Sequence, residues 1–222
     1  MGQHMKDLII CGNGDFARML KYYVETDGGR SVACFTVNRE FVQDRTFCGL
    51  PLVPFEELAT SYPPDSYEIL MGVGYSKMND VRKGLFRQCK EAGYDIASYI
   101  HSSCVVHTDD IGEGNVLLEN CLVYPFVCIG DGNLMWDHVV ISHDCVVGDF
   151  NTFAGSSDLS GYVTVGNNCF LGKGCVVRNG TTIADYTLIG ATAYAKGKTN
   201  PYDVIVPARS VTLQHKRSTD FL

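Results

Sequence analysis

The sequence has no apolar run approaching the roughly 18 to 20 residues that span a bilayer, and its N-terminus lacks a basic region followed by a signal-type apolar core. Both absences argue against membrane insertion and export, so the chain reads as cytoplasmic. It also lacks a basic excess: 18 Lys and Arg stand against 25 Asp and Glu, a formal net charge of -7. A non-specific nucleic-acid or membrane-surface binder is ordinarily basic, and neither partner is expected. There is no Cys-x-x-Cys pair, and the 10 cysteines among 222 residues fall below the share of about 8 to 10% that marks disulfide scaffolds. Buried free thiols are the expectation. Disorder is excluded as well, because hydrophobic residues make up 45% and charged ones 19% of a chain long enough for one large or two small domains. Met1-Gly2-Gln3-His4-Met5 reads as an expression scar before a native start at Met5.

What is present is a repeat. Every sixth residue from Ile111 is apolar: Ile111, Leu117, Val123, Ile129, Met135, Ile141, Val147, Phe153, Leu159, Val165, Leu171, Val177, Ile183 and Ile189. Four places after each stands a small or medium-sized residue, from Asn115, Cys121 and Val127 to Thr181, Thr187 and Ala193. Neither a 3.6-residue helical period nor simple strand alternation sustains that beat, so the segment reads as a solenoid of hexapeptides. Gly112, Gly130, Gly148 and Gly166 fall 18 apart, which makes three hexapeptides per turn and a triangular cross-section. Each short parallel strand should turn one large side chain inward and one small one toward the corner, with these glycines supplying the backbone angles that corners need. Cys121, Cys145, Cys169 and Cys175 occupy small positions and read as packing residues, not metal ligands.

Residues 5–98 follow a different grammar. Leu8-Ile9-Ile10-Cys11 reads as a buried strand, followed by Gly12-Asn13-Gly14-Asp15 and a helix with Phe16, Met19, Leu20, Tyr23 and Val24 on one face. Further strands are predicted from Ser31 to Thr36 and from Tyr67 to Val73, and a second helix from Lys77 to Ala92 carries Val81, Leu85, Phe86 and Cys89 on one side. The expectation is a small α/β unit, β-α-β with a parallel sheet. In Gly12-x-Gly14-x-x-Ala17 the glycines let a ligand approach the backbone, and the helix start offers amides to a phosphate. A tight strand-to-helix turn without a ligand is the alternative. The acidic residue that would take a ribose is missing, since Val37-Asn38 follows Phe35-Thr36, and this reads against NAD.

A Gly-rich β-α-β unit joined to hexapeptide repeats resembles the bacterial sugar O/N-acyltransferases, which include sialic acid O-acetyltransferases and N-acetyltransferases of nucleotide-linked 4-amino sugars. The resemblance runs from Leu8 to about Val211. It implies an N-terminal domain over 5–98 that holds a nucleotide-linked amino sugar, a left-handed parallel β-helix over 99–195, and a C-terminal tail over 196–222. It further implies acetyl-CoA as co-substrate, a homotrimer with sites between neighbouring β-helices, no metal, and a product destined for surface glycan. Gly12, Asn13, Gly14 and Asp15 match the nucleotide-binding loop, and Asn38 stands in the family's acidic pair. Tyr99-Ile100-His101-Ser102-Ser103 resembles the Ile-His-Pro-Ser segment that opens the β-helix, with Ser102 in place of proline.

Ile141-Ser142-His143-Asp144-Cys145 resembles the family's His-Asp/Glu-Cys motif, which implies that His143 is the catalytic base and Asp144 its orienting partner. An amine or hydroxyl attacking a thioester must lose a proton, and imidazole titrates nearest neutrality. A surface histidine at a solvated corner is the plainer alternative. Where related enzymes often have a second histidine, this chain has Thr152, which is assigned with His138 to the acceptor. Val206-Pro207-Ala208-Arg209 resembles the Val-Pro-Ala-Lys segment near CoA, and Gly172, Lys173, Gly190, Lys196 and Arg209 are the expected CoA contacts. For the glycines corner geometry is an equal explanation, and for the lysines solvated charge is.

Within acyl transfer the alternative is an O-acetyltransferase acting on a sugar or small-molecule hydroxyl, and two rivals come from other classes. The phase of His138 and His143 also resembles the γ-class carbonic anhydrases, in which such histidines bind zinc with a third from an earlier coil. Here the third position falls on Ser102, one residue from His101. The other rival is a β-helix serving only as an oligomeric scaffold, which would neither bind CoA nor depend on His143.

Overall fold

The computed structural model describes residues 6–27, 29–215, 217 and 219, so the segment Met1 to Met5 lies outside them. The N-terminal sheet comprises β1 (Asp7–Cys11), β2 (Val32–Val37), β3 (Thr46–Phe47), β4 (Leu50–Pro54), β5 (Tyr67–Met71) and β6 (Asp95–Ile96), in the order β3-β4-β2-β1-β5-β6. All pairs are parallel except β3–β4. Helices α1 (Asp15–Thr26), α2 (Phe55–Ser61) and α3 (Asp80–Glu91) complete the unit. It is larger than the β-α-β unit expected. β4 escapes sequence reading because Pro51 and Pro54 interrupt its pattern, and β3 and β6 are only two residues long. The strand expected to reach Val73 ends at Met71, and the helix expected from Lys77 starts at Asp80. Lys77, Met78 and Asn79 instead take left-handed backbone angles, with φ of 51°, 50° and 69°.

From Tyr99 onward the chain winds through two-residue parallel strands that stack into three sheets. One holds Tyr99–Ile100, Val116–Leu117, Leu134–Met135, Thr152–Phe153, Phe170–Leu171, Leu188–Ile189 and Val204–Ile205. A second runs from Val105–Val106 through Val140–Ile141 to Tyr194–Ala195, and a third from Cys128–Ile129 to Thr182–Ile183. Partners such as Leu134 and Thr152 are 18 residues apart, one full turn. The sheet therefore extends past Ala195, because Val204–Ile205 adds a strand beside Leu188–Ile189 within the expected tail. Leu117, Val123, Met135, Phe153, Leu171 and their equivalents fill the interior, and Cys121, Cys145, Cys169 and Cys175 are buried beside them. All ten cysteines are free thiols.

The corners correct one expectation. Gly112, Gly130, Gly148 and Gly166 do not take left-handed angles. That conformation falls on the third corner residue, such as Asn120, Phe126, His138, Asp144, Phe150, Ser156 and Tyr162. The glycines are required by coil stacking: a Cβ on Gly112 would lie 2.8 Å from Gly130 O and run into the Asp131 carboxylate. That carboxylate is held in place because Asp131 Oδ1 accepts from Glu113 N at 2.9 Å, and the pattern repeats at Asp149, Asn167 and Asp185. Inside the same corner, Asn133 N donates to Asn115 Oδ1, Asn151 N to Asn133 Oδ1, and Cys169 N to Asn151 Oδ1, at 2.9, 2.9 and 2.7 Å. These buried amides satisfy backbone groups that apolar residues would leave unpaired.

The N-terminal unit docks on this polar corner. Arg82, 2% exposed, donates to Gly132 O, Gly74 O, Asn151 O and Thr152 Oγ1 at 2.9, 2.8, 3.0 and 3.2 Å. Burial lowers its pKa to about 10, which still leaves the guanidinium charged at neutral pH. Asn79 donates to Cys169 O at 3.0 Å and accepts from Thr152 Oγ1 at 2.7 Å. The left-handed stretch 77–79 is thus tied down by hydrogen bonds to the β-helix. Arg82→Ala should cost about 3 kcal/mol by stranding buried carbonyls, read as a lowered urea midpoint at unchanged m-value.

Candidate active site

Gly12 is dictated by the fold: its φ is 133° and a Cβ would lie 2.5 Å from Gly72 O. Gly14 faces open space and caps α1 without a side-chain hydrogen bond. The first amides of α1 therefore open onto a 540 Å³ cleft lined by Gly12, Asn13, Gly14 and Asp15, by Asn38 and Phe41 beyond β2, and by Val81, Gly84, Leu85 and Gln88 of α3. All five residues expected here for the nucleotide are brought together. Asn13 donates to Phe41 O at 3.3 Å, and Gln88 donates to Asn38 Oδ1 at 3.1 Å. Gln88 and Gly84 were missed, although a glycine inside α3, costly to a helix by about 1 kcal/mol, marks a place where something can approach.

His143 stands at the corner after Val140–Ile141, half-exposed. Asp144, at φ 58°, turns its carboxylate back so that Oδ2 lies 2.9 Å from His143 Nδ1. An Nδ1–H given to Asp144 leaves the Nε2 lone pair free to take a proton. The ring meets Tyr162 edge-on with centroids 5.2 Å apart and lies over Gly161 of the next coil, where a Cβ would fall 2.8 Å from Nε2.

The remaining expected residues divide. His138 sits at the opposite end of the same strand, exposed, and lines a 400 Å³ hollow with Tyr23, Glu119, Trp136 and Asp137. Burial and the Glu119 carboxylate raise the Tyr23 pKa to about 12, so its hydroxyl remains the donor to Glu119. Lys173 lines a neighbouring hollow of 350 Å³. Thr152 does not face any of these spaces: it is fully buried under α3, its hydroxyl bonded to Asn79 and Arg82. Gly172 and Gly190 have backbone N–H groups already committed to Ile189 O and Ile205 O at 2.7 Å, and Gly172 is further required because a Cβ would lie 2.5 Å from Ala191 N. Lys196 and Arg209 are exposed. His101, the third histidine of the zinc reading, has Nδ1 bonded to Ser103 and Nε2 3.8 Å from Asp27. Among the described residues no group of three or more His, Cys, Asp or Glu is arranged to hold a metal ion, and no helix is long and apolar enough to cross a membrane.

The bacterial transferase hexapeptide (six repeats) model matches residues 162–197. The fold is that of the hexapeptide left-handed parallel β-helix proteins with an N-terminal α/β unit. It superposes on the acetyltransferase domain of PglB from Neisseria gonorrhoeae FA1090 with a TM-score of 0.80 at 20% identity, covering 91% of this chain and 97% of that one. A mutant of GDP-perosamine N-acetyltransferase from Caulobacter crescentus, in complex with CoA and GDP-perosamine, gives 0.81 at 24% identity, covering 91% and 94%. In sequence, 79 residues are 32% identical to GDP-perosamine N-acetyltransferase from Escherichia coli O157:H7, covering 28% of this chain and 36% of that protein. A stretch of 111 residues is 32% identical to the acyl-[acyl-carrier-protein]–UDP-N-acetylglucosamine O-acyltransferase of Helicobacter pylori (strain Shi470), covering 39% and 41%. The chain thus matches well under half the length of these curated relatives, all of which are sugar acyltransferases.

Gly161→Ala should push the imidazole off its seat, read in long-range nitrogen–proton NMR as loss of the single Nδ1–H tautomer of His143.

Proposed function

We propose that this protein is a CoA-dependent acyltransferase that moves an acetyl group from acetyl-CoA to the amine of a nucleotide-linked sugar. The observation that carries this reading is the His143–Asp144 pair, with Nδ1 held at 2.9 Å and Nε2 free above Gly161. The cleft at the start of α1 supports it, since free helix-terminal amides suit the phosphates of a nucleotide. The structural neighbours include a PglB acetyltransferase domain with acetyl coenzyme A and the perosamine enzyme with CoA and GDP-perosamine.

The mechanism is direct transfer in a ternary complex. As the acceptor nitrogen attacks the thioester carbonyl, Nε2 of His143 takes its proton, and Asp144 fixes the tautomer and stabilises the imidazolium. A backbone amide on the coil that adjoins His143, the coil of Gly161, serves the oxyanion in this reading. The tetrahedral intermediate collapses with release of the CoA thiol. CoA runs along the late coils, where Lys173, Lys196 and Arg209 supply positive charge. The protein acts as a homotrimer in the cytoplasm, ahead of surface-glycan assembly. The corner that bears His143 also exposes Tyr124, Phe126, Val146 and Tyr162, an apolar rim that a second subunit would cover.

Mass spectrometry after incubation with acetyl-CoA and UDP-, dTDP- and GDP-linked amino sugars tests this reading. One product heavier by a single acetyl group is expected, and every sugar returned unchanged would refute it. His143→Ala should lower kcat by about 10²- to 10⁴-fold with the KM for acetyl-CoA nearly unchanged, because a base acts mainly in the transition state. Equal turnover in that variant would remove His143 from the mechanism.

A further inference from the structure

The 350 Å³ hollow holding Lys173 is walled by three aromatic rings, those of Tyr75, Trp136 and Phe170, and carries Asp137 at its edge. Tyr75 and Phe170 pack with centroids 5.1 Å apart. Among the described residues neither Asp137 nor Lys173 has a hydrogen-bonding or ion-paired side chain, so the hollow presents one unpaired anion and one unpaired cation. The Asp137 carboxylate is not loosely placed. It lies across Gly155 of the next coil, where a Cβ would come within 2.7 Å of Oδ1.

The hollow adjoins the cleft at the start of α1 in two ways. Gly74 lines the cleft and the next residue, Tyr75, lines the hollow. Phe16 lines the cleft and packs on Trp136, centroids 5.7 Å apart, which lines the hollow. A nucleotide seated at α1 would therefore extend its sugar over Trp136 toward Asp137. Aromatic faces attract a cation and not a neutral hydroxyl, and an unpaired carboxylate, to which either group can donate a hydrogen bond, adds a full charge pairing only for the cation.

We propose that this hollow seats the acceptor sugar where it meets CoA, with Lys173 given to the CoA phosphates as above, and that Asp137 is the residue selecting an amine over a hydroxyl. The proposal rests on the acyl-transfer reading above and adds the chemistry of the acceptor. The sugar arrives as its ammonium ion, paired with Asp137. Before attack one proton passes to solvent. As the C–N bond forms a second passes to the His143 of a neighbouring copy of this chain, since the chain's own His143 stands at the far end of the strand from Asp137 and His138. That imidazole hands it to the sulfur as the C–S bond breaks, releasing CoA as its thiol. The balance is R–NH3+ plus acetyl-CoA giving the N-acetyl sugar, CoA–SH and one proton.

The test is calorimetric and independent of turnover. Matched pairs of GDP-, UDP- and dTDP-linked 6-deoxyhexoses, bearing an amine or a hydroxyl at C4, are titrated into the protein and into Asp137→Asn. At least one amino sugar should bind the wild type about tenfold more tightly than its hydroxyl partner. In Asp137→Asn that ratio should fall to near one, with the affinity for the free nucleoside diphosphate and the thermal melt unchanged. Gly155→Ala, which keeps the carboxylate but displaces it, should lose the same preference. Equal affinities in the wild type, binding of neither sugar, or an unchanged ratio in Asp137→Asn overturns the proposal. An amino sugar acetylated by a protein whose ratio Asp137→Asn leaves untouched refutes Asp137 alone and leaves acyl transfer standing.

Discussion

Everything in the molecule depends on one spacing: successive coils must stack at the hydrogen-bonding distance of parallel strands, about 4.8 Å, and repeat the same three-sided path. Side chains that stack at that distance must tolerate their own equivalents above and below. Apolar interior residues do so by packing. At the corner beside the N-terminal unit, asparagines and aspartates do so by hydrogen bonding, each side-chain oxygen accepting a backbone N–H from a neighbouring coil. The ordered carbonyls left along this corner are what Arg82 and Asn79 grip, so the β-helix provides the template on which the α/β unit is held.

That dependence explains what was legible in the sequence. The hexapeptide beat is visible because stacking imposes it on every coil from Ile111 to Ile189, and the buried thiols follow from it. The reason for Gly112 and its equivalents was not visible, since a close approach to the coil one turn away leaves the same trace as a corner angle. Thr152 illustrates the same limit: its place in the repeat is plain, but its burial depends on α3, about 70 residues distant in sequence. The strand containing Pro51 and Pro54 was hidden for a local reason, because proline removes the alternation by which strands are recognised.

The candidate site is legible where its residues are contiguous. Gly12 to Asp15 lie on one loop, and His143 and Asp144 are neighbours whose contact needs only the turn between them. Where the site is assembled from separate elements, the sequence is silent. Gln88 meets Asn38 across 50 residues, and Trp136, Tyr75 and Phe170 converge from a coil, a loop and a later coil. No short pattern announces such convergence, and only the fold brings these side chains to one place.

The left-handed corner seats have a consequence for how such proteins change over time. Asn, Asp and His bear this conformation better than other residues with a Cβ, yet the seats are held here by Phe126, Phe150, Tyr162 and Tyr186 as well as by Asn120, His138, Asp144 and Asn168. The backbone hydrogen bonds between stacked coils thus hold the angle whatever the side chain, and a β-helix offers, once per corner, a position open to polar, acid–base and aromatic residues alike. New chemistry can be sampled on this scaffold one corner at a time while the stacked interior remains untouched.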